Sequence, residues 1–187
     1  MKDLSLHIMD IAQNSIVAGA QKISISLCVQ GDPQMLILEI IDDGKGMDEE
    51  FLRKVMDPFK TSRTTRNVGL GIPLLMQSAQ MAGGELEINS EPGKGTKLQA
   101  KFIVNNIDRI PLGDIPETIK MLIMANPNIS WTIYFSSQND DYTLETDELK
   151  HHLDGVSIEN SSVLEWIQNT VADGIKSVYG GVLDEVD

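Results

Sequence analysis

Two neighbouring apolar segments near the N-terminus constrain the fold most. Between residues 23 and 29, large aliphatic side chains alternate with serine and cysteine, which is typical of a strand with one buried face. Gly31-Asp32-Pro33 then marks a turn. Residues 35–41 are apolar on both faces except at Glu39, as in a central strand. The two segments therefore predict adjacent strands of a sheet.

Further elements are predicted around this pair by periodicity and by capping residues. Apolar side chains recur at a helical period over residues 4–18. A short helix is expected from Glu49 to Asp57, with Asp48 as its N-cap. Another helix should run from about Gly71 to Ala82, and it is followed by a hairpin. The two hairpin strands are predicted at 85–90 and 96–104.

The composition changes near residue 106. Residues 1–106 carry 11 Lys and Arg against 13 Asp and Glu, whereas residues 107–187 carry 4 against 15. We interpret 1–106 as one domain and 107–187 as an acidic accessory α+β region without a catalytic signature. The sequence leaves open whether this region extends the first domain's sheet or stands apart. Its expected elements are a helix at 114–125, strands at 129–135 and near 142–144, and helices at 147–153 and 163–178.

The last helix of this region carries two specific predictions. Ser162 and Glu165 have the spacing of a capping box at its start. Its apolar stripe is predicted to face the core, and it comprises Val163, Trp166, Ile167, Val171, Ile175 and Val178.

Composition excludes several classes of function. The formal net charge is −13 and no cluster of Lys and Arg is present, which argues against nucleic acid as a ligand. The longest apolar runs are too short to cross a bilayer, and the N-terminus lacks the layout of a secretory signal. Cys28 is the only cysteine, so no internal disulfide can form. We therefore expect a reduced, cytoplasmic protein.

Two motifs lie in the first 50 residues. On the first helix, Asp10 and Asn14 are four residues apart and share one face, so together they could hold a magnesium ion and orient a water. After the second strand, Asp42-Asp43-Gly44-Lys45-Gly46 combines a carboxylate that could accept a hydrogen bond from an exocyclic amine with glycines that permit a tight turn. A polar helix face and a plain turn are the alternatives. A calcium loop is excluded because its later oxygen ligands are missing.

Two further motifs follow. The polar segment from Asp57 to Arg63 leads to Val68-Gly69-Leu70-Gly71, where a helix opens and its free N–H groups would favour phosphate. A solvated surface loop is the alternative. Next, Glu91-Pro92-Gly93-Lys94-Gly95-Thr96 forms a hairpin turn. This turn is not a P-loop, because the first glycine of that pattern is missing.

Taken in this order, the four segments resemble the N, G1, F and G2 boxes of the GHKL superfamily of ATP-binding proteins, which includes histidine kinases, gyrase, Hsp90 and MutL. The resemblance covers residues 4–104. It implies the Bergerat ATP-binding fold, a two-layer α/β sandwich of the α+β class, here with a C-terminal α+β extension. It also implies Mg-ATP as the ligand.

The resemblance also implies roles for individual residues. Asn14 would coordinate magnesium, Asp42 would bind the adenine amino group, and Thr96 would support the adenine site. Asp10 is the candidate catalytic residue, and His7, one turn earlier, is expected to orient it or pack against it. The other implied nucleotide contacts are Gly44, Gly46, Met47, Phe59, Lys60, Thr61, Ser62, Arg63, Val68, Gly69, Leu70 and Gly71.

Different stretches of the sequence resemble different branches of the superfamily. The stretch from Asp57 to Thr96 is most similar to sensor histidine kinases, whereas Gln13 to Ala20 is more similar to MutL or gyrase. In those ATPases a Glu four residues before the Asn is the general base, and this chain has the shorter Asp10 there. None of the three histidines has the sequence context of a phosphoacceptor.

Three functional hypotheses follow from the mixed resemblance. The first is a kinase-like phosphotransferase that acts on a separate protein, at a His or at a Ser or Thr. The second is an ATPase switch that uses Asp10 as its base and closes a homodimer on ATP. The third is a nucleotide-responsive binding module that has no turnover.

Overall fold

A mixed six-stranded sheet organises the computed structural model, which describes residues 2–56, 70–183 and 185. The strand order is β3-β4-β2-β1-β5-β6, and every pair is antiparallel except β1 with β5. The strands are β1 (Lys22–Gln30), β2 (Met35–Asp42), β3 (Leu86–Glu91), β4 (Gly95–Ile103), β5 (Ser130–Ser136) and β6 (Asp141–Glu145).

Helices cover one face of this sheet. Those of the described residues are α1 (Leu4–Val17), α2 (Glu49–Met56), α3 (Gly71–Met81), α4 (Ile115–Ala125), α5 (Thr146–His152) and α6 (Ser161–Tyr179). α1, α3 and α6 contact the strands directly, and α4 contacts both α1 and α6. Within the same described residues, no helix combines the length and the apolar character that a bilayer crossing demands. The expected α+β fold with two layers is confirmed.

The predicted elements of the first 106 residues are confirmed wherever the structure describes them. In β1 and β2 the burial alternates, because aliphatic side chains such as Ile25 and Leu38 point under the helices. Asp48 caps α2 as predicted, and its carboxylate accepts the backbone N–H of Phe51 at 2.7 Å. Asp57, the predicted end of that helix, lies outside the described residues.

The acidic region continues the same sheet. β5 runs parallel to β1 from the pair Lys22 and Ser130 to the pair Cys28 and Ser136. From α6, the Tyr179 hydroxyl donates to the backbone carbonyl of Leu27 on β1. Residues beyond 106 are therefore joined to the first part by a strand ladder and share its core.

Two predictions about α6 are wrong. Its N-cap is Asn160, whose side chain accepts the N–H of Ser162 at 2.9 Å, so the expected capping box does not form. Three cap-forming residues stand in a row here, and the earliest one caps the helix. Trp166 is 49% exposed, whereas Leu164 and Ile167 are buried. The apolar face of the helix is thus centred away from Trp166.

Candidate functional site

A polar row interrupts the covered face of the sheet at one end of three neighbouring strands. Ser90 of β3 lies opposite Thr96 of β4, and Thr96 lies opposite Asp42 of β2. The next row along the same face is apolar, with Ile88 and Leu98 among its residues. Polar side chains at this depth need hydrogen-bond partners, and these come from within the row and from the segments packed against it.

Asp42 is the most buried member of the row, and it is held on both oxygens. The Ser15 hydroxyl of α1 donates to Asp42 Oδ2 at 2.6 Å, and the Gly44 backbone N–H donates to Asp42 Oδ1 at 2.9 Å. Asp42 is 8% exposed and Ser15 is 3% exposed. Because a carboxylate can accept about four hydrogen bonds, Asp42 keeps acceptor capacity for a ligand amine.

The turn after β2 fits closely between α1 and the β3–β4 hairpin. Lys45 N–H donates to the Ala18 carbonyl at 3.0 Å, and Gly93 N–H donates to the Lys45 carbonyl at 2.8 Å. Gly46 has a φ of +66°, and a Cβ there would overlap the carbonyl of Glu91. Glycine is therefore required at position 46 for two independent reasons.

The other end of the site lies where α1 meets the start of α3. Asp10 and Asn14 are both partly buried on α1. The Asp10 carboxylate lies so close to Gly71 that a Cβ at position 71 would overlap it. Leu70 occupies the N-cap position of α3, where the described residues supply no side-chain cap, and it is 57% exposed. Uncapped N–H groups at a helix start favour an anion.

The structure thus brings most of the predicted residues together around α1. Asp10, Asn14, Asp42, Gly44, Gly46, Met47, Leu70, Gly71 and Thr96 lie on α1, on the turn, at the start of α3 and on β4. The rest of the predicted set lies outside the described residues, namely Phe59, Lys60, Thr61, Ser62, Arg63, Val68 and Gly69.

His7 is expected to orient Asp10 or to pack against it, and the described residues show no hydrogen bond for the first of these roles. Its ring is fully buried, and among the described residues neither ring nitrogen has a hydrogen-bond partner. Burial lowers the pKa of His7 to about 4, so the ring is neutral at pH 7. His7 therefore acts as a packing residue of α1 in this structure.

The sequence predictions assign no role to two serines of the site. Ser15 follows Asn14 directly, and Ser90 precedes the hairpin turn. Ser90 could have been found from the hairpin itself, since pairing across the predicted turn places it opposite Thr96. Ser15 could not, because its contact with Asp42 joins a helix to a strand 27 residues away.

Comparison with known proteins shows the family. A family described as "Histidine kinase-, DNA gyrase B-, and HSP90-like ATPase" matches residues 2–106. The chain is 29% identical over 131 residues to the autoinducer 2 sensor kinase/phosphatase LuxQ of Vibrio cholerae, covering 67% of this chain and 15% of that protein. It is 29% identical over 91 residues to sporulation kinase C of Bacillus subtilis, covering 49% of this chain and 21% of that one.

A solved structure supports the fold. The N-terminal domain of a DNA repair protein aligns over 78% of this chain and 53% of its own, with a TM-score of 0.53 and 15% identity. These two kinases are matched over 15% and 21% of their own length, so the match concerns only a part of each. Because the family match covers more than half of the sequence, the chain belongs to the histidine kinase-, DNA gyrase B- and HSP90-like ATPase family.

Proposed function

We propose that the protein binds Mg-ATP at this site and transfers the γ-phosphoryl group to a separate protein. The observation that carries the proposal is the position of α1. Its Ser15 contacts the buried Asp42 at one end of the site, and its Asp10 contacts Gly71 at the other. A nucleotide lying along α1 would meet a carboxylate at its base and a helix start at its phosphates.

The base end suits adenine. Asp42 is buried and oriented by two donors, so it can accept the exocyclic amine without further reorganisation. Gly44 and Gly46 let the turn pack tightly, because a Cβ at either position would overlap Ala18 or the Glu91 carbonyl. The tight turn places the Gly44 N–H on the Asp42 carboxylate. Thr96 lies beside Asp42 in the ladder and adds a second polar group to this end.

The phosphate end suits a hydrated magnesium ion. No group of three or more His, Cys, Asp or Glu side chains in the described parts of the chain could hold a metal by itself. The Asn14 amide would therefore supply one oxygen, and phosphate oxygens and waters would supply the others. Magnesium usually keeps several waters and binds through one or two protein ligands together with phosphates.

The protein's part in the reaction is positioning and charge stabilisation. In the transfer, the bond between the γ-phosphorus and the oxygen that bridges it to the β-phosphate breaks, and a bond from phosphorus to the acceptor atom forms. Asp10 lies one turn before Asn14 on the same helix, where its carboxylate can take the proton that the acceptor releases. The uncapped start of α3 would stabilise the phosphate charge.

The chain's own histidines fit the acceptor role poorly. His7 is fully buried. His151 and His152 lie on α5, which packs against β5 and β6, whereas the polar row lies on β2, β4 and β3 at the other side of the sheet. We therefore place the acceptor on another molecule. Residues 1–106 would bind the nucleotide, and the acidic residues 107–187 would support this domain.

Incubation with γ-labelled ATP and cell lysate tests the proposal. We expect the wild type to label a protein above the level seen with Asn14→Ala, because magnesium would lose its protein ligand in that variant. Gln13→Ala, on the exposed side of the same helix, is the matched control and should label like the wild type. Equal labelling by the wild type and by Asn14→Ala would contradict the proposal.

An ATPase switch is a second candidate, and the place of Asp10 favours it. The Asp10 carboxylate lies against the start of α3, where it could activate a water beside the γ-phosphate. This function predicts slow phosphate release from ATP without any acceptor. Asp10→Asn should then stop phosphate release while nucleotide binding persists, as measured by a phosphate assay and by calorimetry.

A further inference from the structure

The hydroxyl of Ser90 has three hydrogen-bond partners at the base end of the site. It lies 2.9 Å from the backbone nitrogen of Met47, 2.9 Å from the carbonyl oxygen of Gly95 and 2.9 Å from Thr96 Oγ1. These partners belong to the turn after β2, to the start of β4 and to the polar row. A single side chain therefore connects three segments of the site.

The chemistry of these partners determines which atom donates in each hydrogen bond. An N–H can only donate and a carbonyl oxygen can only accept, so Ser90 accepts from Met47 and gives its own proton to Gly95. Thr96 must then donate to the remaining lone pair of Ser90. In this arrangement all three hydrogen bonds form at once, and the Thr96 proton points toward Ser90.

We propose that Ser90 is a positioning residue that makes Thr96 a hydrogen-bond acceptor toward the base. With its proton committed to Ser90, Thr96 turns its lone pairs toward the space beside Asp42, its partner across the ladder. Asp42 and Thr96 then present only hydrogen-bond acceptors to a bound base. This surface favours a purine that donates a hydrogen bond through an exocyclic amine. It disfavours a purine that carries a carbonyl in the position of that amine.

The proposal rests on the proposed function, since it concerns the same nucleotide site. It is tested by the ratio of dissociation constants for ITP and ATP, because inosine carries a carbonyl where adenine carries its amine. We expect Ser90→Ala to lower this ratio about fivefold, as the Thr96 hydroxyl becomes free to rotate and donate. Ser90→Thr keeps the hydroxyl and should restore the ratio.

Two further variants separate positioning from a loss of structure. Asn89→Ala changes the neighbouring residue on the opposite face of β3 and should leave the ratio unchanged. Thr96→Val removes the hydroxyl that Ser90 orients, so Ser90→Ala should have no further effect on the ratio in that background. A purely structural role of Ser90 would weaken both nucleotides equally and leave the ratio as it was.

The outcomes are distinct. An unchanged ratio in Ser90→Ala, or full additivity with Thr96→Val, would overturn the role of Ser90 while leaving ATP binding in place. Failure of the wild type to bind ATP in the same calorimetric titration would overturn the proposed function, and this inference with it.

Discussion

The covered face of the sheet is polar on one side and aromatic on the other. On β3, β4 and β2 it ends in the row of Ser90, Thr96 and Asp42. On β5 it carries Trp131 and Phe135, which are 1% and 0% exposed. Both regions lie beneath helices, yet the polar row keeps unused hydrogen-bonding capacity, whereas the aromatic region is filled by side chains.

This difference indicates a division of roles within one sheet. Around Phe135 the rings pack at centroid distances of 5.6 Å to Tyr142 and 6.1 Å to Tyr179, which contributes to the free energy of unfolding. In the polar row, burial of the Asp42 carboxylate lowers the free energy of unfolding. A hydrogen bond from a bound ligand would offset this loss. Substitutions in the aromatic region should therefore change stability, and substitutions in the polar row should change affinity.

Trp131→Ala should have the largest effect. It removes a large buried side chain, so we expect the free energy of unfolding to fall by about 3–5 kcal/mol. The nucleotide affinity of the molecules that stay folded should be unchanged. Denaturant unfolding measures the stability, and calorimetry on the same sample measures the nucleotide affinity. A parallel loss of affinity would contradict the division of roles between the two regions.

Asp42→Asn should act in the opposite way. The amide keeps the size of the side chain but loses the charge that strengthens a hydrogen bond to the ligand amine. We expect ATP affinity to fall by about 2.5 kcal/mol, roughly 70-fold, with a smaller change in stability. Calorimetric titration measures the affinity. A loss of stability without a loss of affinity would show that the carboxylate serves the fold.

His7 is a buried polar residue outside the polar row, so its titration should change stability. It lies on α1 and has no hydrogen-bond partner among the described residues. Burial lowers its pKa from 6.5 to about 4, so the unfolded chain takes up a proton at a higher pH than the folded one. Stability should therefore fall as the pH drops from about 6.5 toward 4.

The expected size of this effect is about 2 kcal/mol between pH 7 and pH 5. Denaturant unfolding at the two pH values measures it. His7→Phe removes the titrating group and keeps a ring, so the same pH change should cost this variant about 2 kcal/mol less. An identical pH dependence in both proteins would assign the loss to other groups.

Ser15→Ala should have the smallest effect, because it removes one of the two donors to Asp42. We expect ATP affinity to fall by about 1 kcal/mol, roughly fivefold. Ser26→Ala, on the uncovered face of β1, is a matched control and should bind like the wild type. Equal affinities in Ser15→Ala and the wild type would mean that Ser15 does not orient the carboxylate.

Local patterns predicted most of the fold. The alternation in β1 and the capping of α2 by Asp48 depend on neighbours along the chain, and both were predicted. The start of α6 differs from the prediction, because Asn160 and Ser162 are both good caps and their spacing in the sequence does not distinguish them. The pairing of β1 with β5 does not follow from the sequence either. It joins segments about a hundred residues apart, and neither strand encodes its partner.

The sequence indicates the candidate site where glycine and carboxylate spacing is distinctive, and it gives no sign of the two serines that contact the site. Asp42 and Gly46 stand in a recognisable turn, and the structure places Asp42 in the polar row and Gly46 against the Glu91 carbonyl. Ser15 and Ser90 act through tertiary hydrogen bonds, which have no fixed spacing. Serines are common on helix and strand surfaces, so their presence alone indicates no role.

The ladder between β1 and β5 has a practical consequence for anyone who trims the protein. Cutting after residue 106 would follow the limit of the family match, but it would strip β1 of its parallel neighbour. The shortened molecule would expose a row of bare amide and carbonyl groups, ready to pair with another copy. We expect such a fragment to aggregate at concentrations where the full chain remains dispersed.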